Sequence, residues 1–430
     1  MRLLTLVHSL GHGGTQRCAV NYSIGCQRHG HEVAVLGFWG GGELEAELDA
    51  ARIPVFAGGS DDSERERAVD AGIEWRPKLL HVHRPGVSDA FGPVIERFAK
   101  SGARVIETNV FSRPDYSAAA RHIALHLHPS RWCLWKWLNW SRNLRPQPLG
   151  VVVPYMVDTE RFYPDRDAGA AFREQHGIPK DSLLLGRIGQ ALSAKWSSHM
   201  IDTFAALASD VGHLRLLVIG APPGIRNRIA ELPAEIQRRV ISLGIVSGYA
   251  ALRAAYAAMD VFLHVADVGE TFGMVLGEAM ACGLPVVTLA TPVKDNSQME
   301  VVEHGRTGLV ATDAGSLLEA VRLLIRDSET RERLRSLARE SVVRRYSPAA
   351  VMPLLQRVVS LVTTVRDRDH LALLLKGDAS LTSRVSRADI ERILGSSMGE
   401  FGWRQRALMH LVHQPTVYRA YRGLRTLASR

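Results

Sequence analysis

The sequence predicts an α/β protein of two doubly wound domains facing a cleft, followed by an extra helical, basic C-terminal tail. Three observations carry this. At 430 residues the chain is too long for one ordinary core and long enough for two domains of ~150 to 200 residues. As far as Tyr346, short β-rich apolar runs alternate with helical segments. The alternation breaks at "VVVPYMVDTERFYPDRD", where prolines and charges replace periodicity.

Taken in order, the first runs are "RLLTLVH", "HEVAVLGF", "IPVFAG", "KLLHVH", "ARVIET", "HIALHLH" and "GVVVP". They are continuous, as strands buried on both faces of a parallel sheet should be. The break places a boundary close to Pro164. The second set is "SLLLGRIG", "LRLLVIG", "RVISLG", "DVFLHVA", "PVVTLA" and "TGLVA". "SPAAVMPLLQRVVSLV" then reads as a long helix, and beyond Val365 the chain stays helical without strands. The expected division is 1–164, 165–346, a helix at 347–365 returning to the first domain, and a tail at 366–430. Ligand crevices belong beyond the carboxyl ends of the strands. No solenoid repeat or low-complexity tract is present.

Composition narrows the class. Hydrophobic residues at 46% and charged residues at 23% match a soluble globular chain, and runs such as "RLLVIG" fall far short of the ~20 residues that span a bilayer. "MRLLTLVHSLGHGG" reads as a first strand, because glycines and histidines follow too soon for a signal peptide. Cys18, Cys26, Cys133 and Cys282 show no CxxC spacing, so neither a disulfide framework nor a zinc site is expected, and a cytoplasmic location fits. The net charge is +9; residues 366–430 hold twelve Lys plus Arg against six Asp plus Glu, with no acid after Glu400. Such asymmetry points to an anionic neighbour. With no recognised nucleic-acid module beside it, nucleic acid is not an expected partner, which leaves peripheral contact with the inner face of a membrane.

The stretch "GETFGMVLGEAMACGLPVV" holds two glutamates, Glu270 and Glu278. "DVFLHVA" reads as a strand, "DVGE" as its exit, and "TFGMVLGEAMAC" as a helix closed by Gly283 and Pro285. Glu270 thus falls at a strand's carboxyl end beside a helix N-terminus, where free N–H groups favour anions. A glycosidase pair on one bond is disfavoured, since eight helical residues advance ~12 Å. Two grips on one elongated ligand fit better. The bland alternative makes Glu270 a helix-dipole carboxylate and Glu278 a surface residue.

This stretch, with "TG" at Thr307 and Gly308, resembles the E-x7-E signature of retaining GT-B glycosyltransferases of family four, whose domains are Rossmann-like. The resemblance implies that Glu270 contacts the transferred sugar, that Glu278 holds the ribose, and that the backbone of Phe272, Gly273 and Met274 lies near the diphosphate. "GRIGQALSAKW" resembles the segment supplying Arg187 and Lys195 to that diphosphate, where fixed cations stabilise the growing charge. "LGHGGTQRCAVNYSIGCQRHGHEVAVL" resembles the first strand, glycine loop and second strand, with Gly13 and Gly14 letting backbone approach the ligand. It is not a dinucleotide fingerprint, because Gln16 occupies the third glycine's place. A tight turn explains the same glycines. "LLHVHRPG" makes His83 an acceptor-side candidate, and "VVPYMVDTERF" resembles the interdomain "PNGVD" with Tyr155 and Met156 replacing Asn and Gly. Where many relatives carry a histidine, "RVIETNVFSRPD" has Asn109 and Val110. The resemblance covers roughly residues 1–365.

It implies a hexose moved from a nucleotide sugar to a hydroxyl of a saccharide or lipid-linked acceptor, with no cofactor and no metal. Two other readings stay open: a sugar-nucleotide epimerase, which would isomerise donor without acceptor, and a non-catalytic scaffold. Outside the signature, "SRWCLWKWLNWSRNLR" places Trp132, Trp135, Trp137 and Trp140 between basic residues. A helix points them to more than one face, toward a membrane interface, an acceptor site or the neighbouring sheet. In the tail, Trp403, Tyr418 and Tyr421 interleave with Arg404, Arg406, Arg419, Arg422 and Arg425, interrupted by Pro415. Such a segment suits anionic headgroups, at ~1 kcal/mol per exposed cation, or packs as a solvated helix on the body.

Overall fold

The computed structural model describes the backbone of residues 1–84 and 90–428 and side chains as far as 421. Pro85 and Gly86, and the side chains of Arg422 and Arg425, lie outside the described residues. The chain divides into two compact units, Met1–Met156 with Pro348–Arg387 and His410–Arg430, and Val157–Ser347 with Ala388–Met409.

The first unit holds a seven-stranded parallel sheet: β1 (Arg2–Val7), β2 (Glu32–Gly37), β3 (Val55–Ala57), β4 (Leu79–Arg84), β5 (Arg104–Asn109), β6 (Ile123–His128) and β7 (Gly150–Val152), in the order β3-β2-β1-β4-β5-β6-β7. The second unit holds six: β8 (Leu183–Ile188), β9 (Leu214–Ile219), β10 (Val240–Leu243), β11 (Val261–His264), β12 (Val286–Leu289) and β13 (Gly308–Ala311), in the order β10-β9-β8-β11-β12-β13. Each apolar run named from the sequence becomes one of these strands. Both sheets reverse their winding once, between β1 and β4 and between β8 and β11. Doubly wound sheets bind ligands at such reversals, beyond the carboxyl ends of the strands.

Each sheet is covered by its own core. Leu4, Leu6, Leu36, Val82, Ile95 and Phe98 pack together in the first unit, and Leu185, Phe204, Leu216, Leu263, Val287 and Leu317 in the second. Several helices begin where short polar side chains accept from freed backbone N–H groups. Ser130 accepts from Cys133 N at the start of Arg131–Ser141, and Asp313 with Ser316 forms a capping box before Ala314–Arg326.

The first crossing between units falls after Met156, a few residues before the expected Pro164. The helix Pro348–Thr364 belongs to the first unit, where Met352 lies against Gly25. The tail, expected as one segment, is shared between the units.

Candidate functional site

The reversal between β8 and β11 gathers four of the candidate residues. Glu270 follows β11, and its carboxylate accepts from Lys195 Nζ at 2.6 Å. Its other oxygen lies 3.3 Å from Nε2 of His264, the last residue of β11. The Glu270 backbone is pinned as well: its N–H donates to Gln298 Oε1 (3.0 Å) and its carbonyl accepts from Ser297 N (2.8 Å). Burial pushes the Glu270 carboxyl up, but Lys195 and His264 outweigh burial and bring it down to about 2. It is therefore an anion at neutral pH. Burial, reinforced by the nearby Arg187 charge, lowers His264 to about 4, so its imidazole is neutral.

Arg187, on β8, is 1% exposed. Its guanidinium donates to the carbonyl of Ile188 and, at 2.9 Å, to that of Lys195, and it stacks 4.9 Å from Trp196. Arg187 thus fixes the turn that presents Lys195. Burial lowers it to about 10, so it stays charged.

The helix after β11 runs Met274–Ala281, starting later than the sequence implied. Gly273 stands before it in left-handed backbone, φ 84°, a conformation natural to glycine. The first backbone N–H groups of the helix are thereby left at the site. Gly269 is equally constrained: at φ 68° a side chain would be strained, and a Cβ would collide with the Asp295 carbonyl and Thr291. Phe272 is buried edge-on to Tyr346, 5.0 Å between ring centres. Glu278 lies within the helix and accepts from the Tyr256 hydroxyl at 2.9 Å. The glutamates have separate partners, Lys195 and His264 for one and Tyr256 for the other. Sequence reasoning missed His264, Gln298 and Tyr256. The visible signal was a histidine closing the apolar strand "DVFLHVA"; the other two are brought in by distant segments.

In the first unit, Gly13 precedes the helix Gly14–Arg28, just after β1. His83 is on β4, the strand across the reversal; it is wholly buried and packs 4.3 Å from the His81 ring. Among the described residues neither of its ring nitrogens has a hydrogen-bond partner, and burial drives it well below the usual histidine value. Asn109 closes β5, fully buried; its amide donates to the Arg113 carbonyl (2.8 Å) and accepts from Arg113 N (3.0 Å). It holds its own loop. Beside it, Arg84 pairs with Glu107 (2.9 Å) and Asp115 (2.5 Å), and Glu107 also meets His126 (2.5 Å).

The aromatic stretch packs inward. Trp132, Trp135 and Trp137 are buried, and Trp140 stacks on Tyr418 at 4.1 Å and donates to the Val412 carbonyl. Of the readings open for it, packing is the one observed. The four cysteines are buried and form no disulfide with one another. No group of three His, Cys, Asp or Glu is placed to hold a metal among the described residues, and no described helix is long and apolar enough to cross a membrane.

The family model "Glycosyl transferases group 1" matches residues 170–341, which include the Lys195, Glu270 and Glu278 cluster. The chain is 31% identical over 215 residues to the N-acetyl-alpha-D-glucosaminyl L-malate synthase of Bacillus anthracis (49% of this chain, 53% of that one). It is 27% identical over 313 residues to the phosphatidyl-myo-inositol mannosyltransferase of Mycobacterium leprae (68% and 76%). It is 32% identical over 207 residues to the D-inositol 3-phosphate glycosyltransferase of Stackebrandtia nassauensis (45% and 45%). The match spans about half the length of the first and third of these. In fold it is similar to Anabaena HepE, solved with UDP and glucose (TM-score 0.66, 19% identity, 84% of this chain and 99% of that one). It is also similar to a glycosyltransferase of Rickettsia africae (0.69, 16%, 84% and 98%). The likeness to the glycosyl transferases group 1 model is thus confined to residues 170–341, and the two Rossmann-like sheets give the chain a GT-B fold.

Proposed function

We propose that the protein is a retaining glycosyltransferase that moves a hexose from a nucleoside diphosphate sugar to a hydroxyl of a saccharide or lipid-linked saccharide. The observation that carries this is the gathering of Lys195, Glu270, His264 and Arg187 at the reversal between β8 and β11, with Glu278 on the following helix. In this reading Glu270 orients the sugar and Glu278, steadied by Tyr256, holds the ribose. The sugar C1–oxygen bond to the diphosphate breaks while the acceptor oxygen bonds C1 on the same face. The acceptor proton passes to the departing diphosphate. Lys195, the charge of Arg187 and the N–H groups before Met274 stabilise that leaving group, so no step calls on a metal. The curated relatives named above, two of them transferases acting on inositol compounds, support a saccharide or lipid-linked acceptor.

A thermal-shift screen against UDP- and GDP-sugars tests the donor, since a ligand bound only by the folded state raises its stability. Proton NMR of the product tests the stereochemistry. The expected outcome is stabilisation by one donor class and a product with the donor's anomeric configuration. An inverted product overturns retention, and epimerised donor without acceptor favours the epimerase.

We also propose peripheral contact with a cytoplasmic membrane face through the helix Trp403–Val412. There Trp403, Leu408 and Leu411 are 75%, 47% and 54% exposed, beside Arg404, which lies over the Trp403 ring.

A further inference from the structure

The first unit contains a cavity of about 380 Å³ that shares no lining residue with the Arg187, Lys195, Glu270 and Glu278 site of the second unit. Its wall includes Arg104 at the start of β5, Ile123 at the start of β6 and Leu149 immediately before β7. It therefore sits among the amino ends of three strands, whereas doubly wound sheets bind their substrates at the carboxyl ends. Five arginines line it: Arg104, Arg121, Arg145, Arg366 and Arg368. The one acid on its wall, Asp115, is already paired with Arg84. Arg121 and Arg368 reach acids outside the wall, Glu96 at 3.8 Å and Asp369 at 3.2 Å. Among the described residues, no carboxylate lies within ion-pair distance of Arg104, Arg145 or Arg366. Arg104 instead donates to the carbonyls of Val362 and Val365.

Two further features of the wall favour an anion as its ligand. Burial first, and the like charge of Arg366 second, lower Arg104 from its ordinary value, so the two cations lie close enough to repel each other. The buried indole N–H of Trp137, whose side chain lines the same cavity, has no partner among the described residues. A second cavity of about 370 Å³ shares Pro148, Leu149 and Arg368 with the first and adds Lys376 and Arg384, with no acid on its wall. The tail supplies Arg366, Arg368, Lys376 and Arg384, which gives its excess of basic residues a purpose apart from the helix Trp403–Val412.

We infer that this arginine-lined cavity is a second site, for the phosphate groups of a multiply charged anion, either a free phosphorylated molecule or a lipid phosphate headgroup. Arginine suits the task because its planar fork grips phosphate oxygens with paired hydrogen bonds. The inference does not rest on the proposed transfer reaction.

The test is calorimetric titration of the full chain with sodium pyrophosphate, together with sedimentation against phosphatidylcholine vesicles containing phosphatidic acid. The variants are Arg145→Ala/Arg366→Ala, at two exposed positions, and Lys195→Ala in the other unit. Loss of about tenfold or more in pyrophosphate affinity in the double variant is expected, with that binding preserved in Lys195→Ala. If neither protein binds pyrophosphate but vesicle affinity falls about tenfold in the double variant, the phosphate belongs to a lipid headgroup, and the site stands. The charge-conserving pair Arg145→Lys/Arg366→Lys should keep part of the binding. Equal affinities for both probes in wild type and the double variant, with unchanged melting temperature, overturn the site.

Discussion

At Glu270 two opposed effects meet: burial favours the neutral acid, and Lys195 with His264 favours the anion and wins. The same burial keeps His264 neutral. Their signs add on the acid side. His264 falls from 6.5 to about 4, so between those values the unfolded chain binds a proton that the folded chain refuses, and stability rises with pH. Glu270 falls from 4.5 to about 2, so its contribution is present above 4.5 and is lost as pH drops toward 2. Stability should therefore decline steadily as pH falls below 6.5. In His264→Gln the slope between about pH 4.5 and 6.5 should flatten by up to about 1.4 kcal/mol per pH unit. Urea midpoints measured across that range check this, and parallel slopes in both proteins refute it. Glu278 offers a binding test. With Glu278 holding the ribose as proposed, removing its carboxylate should cost roughly 1.5–3 kcal/mol, so Glu278→Ala should bind donor at least ~10-fold more weakly. Unchanged donor affinity and turnover in that variant would remove Glu278 from the site.

At the scale of elements, the strands were legible because a parallel strand buried on both faces leaves a continuous apolar run, such as "RLLTLV" for β1. The position of Glu270 was legible for a related reason: it lies where "DVFLHVA" ends and a helix begins. The start of that helix was not, because Gly273 adopts a left-handed turn that composition leaves open. Tyr256 and Gln298 were not legible as site residues either, since they reach Glu278 and Glu270 through the fold. Nor was the fate of the tryptophans. Their many-faced pattern fits a membrane surface as well as it fits what is seen, a helix enclosed by its own sheet and by His413 and Tyr418 from the tail. The exposed apolar stripe lies further along. Trp403, Ala407 and Leu411 follow one another at four-residue spacing on one side of their helix, while Met409 is buried. Trp403→Ala/Leu411→Ser should lower sedimentation with anionic vesicles several-fold, because two side chains of this size contribute ~1.5–3 kcal/mol each when buried. Equal sedimentation, with the fold intact by circular dichroism, would remove this helix as the contact.

At the scale of the whole molecule, the tail has a structural task in each unit. β7 and β13 are edge strands, and an uncovered edge is a template for pairing with other chains. In the first unit the Val152 N–H donates to the Thr382 carbonyl at 2.9 Å. In the second, the Met398 N–H donates to the Val310 carbonyl, and Met398 pairs with Ala311 as an isolated parallel bridge. Residues beyond Val365 thus blunt one edge of each sheet. They also bury Leu371, Leu375 and Leu381 in the first unit and Ile390, Leu394 and Phe401 in the second. Each such side chain is worth ~1.5–3 kcal/mol, a large amount beside the ~5–15 kcal/mol that holds a typical domain. Ending the chain at Val365 should therefore lower the thermal midpoint of both units and yield oligomers on size exclusion with light scattering. The residues proposed to grip the donor, all before Ser347, are retained in such a chain. A truncated chain that remains monomeric and melts with the full protein would show that neither edge needs the tail, and would leave the arginine-lined cavity as its reason for being there.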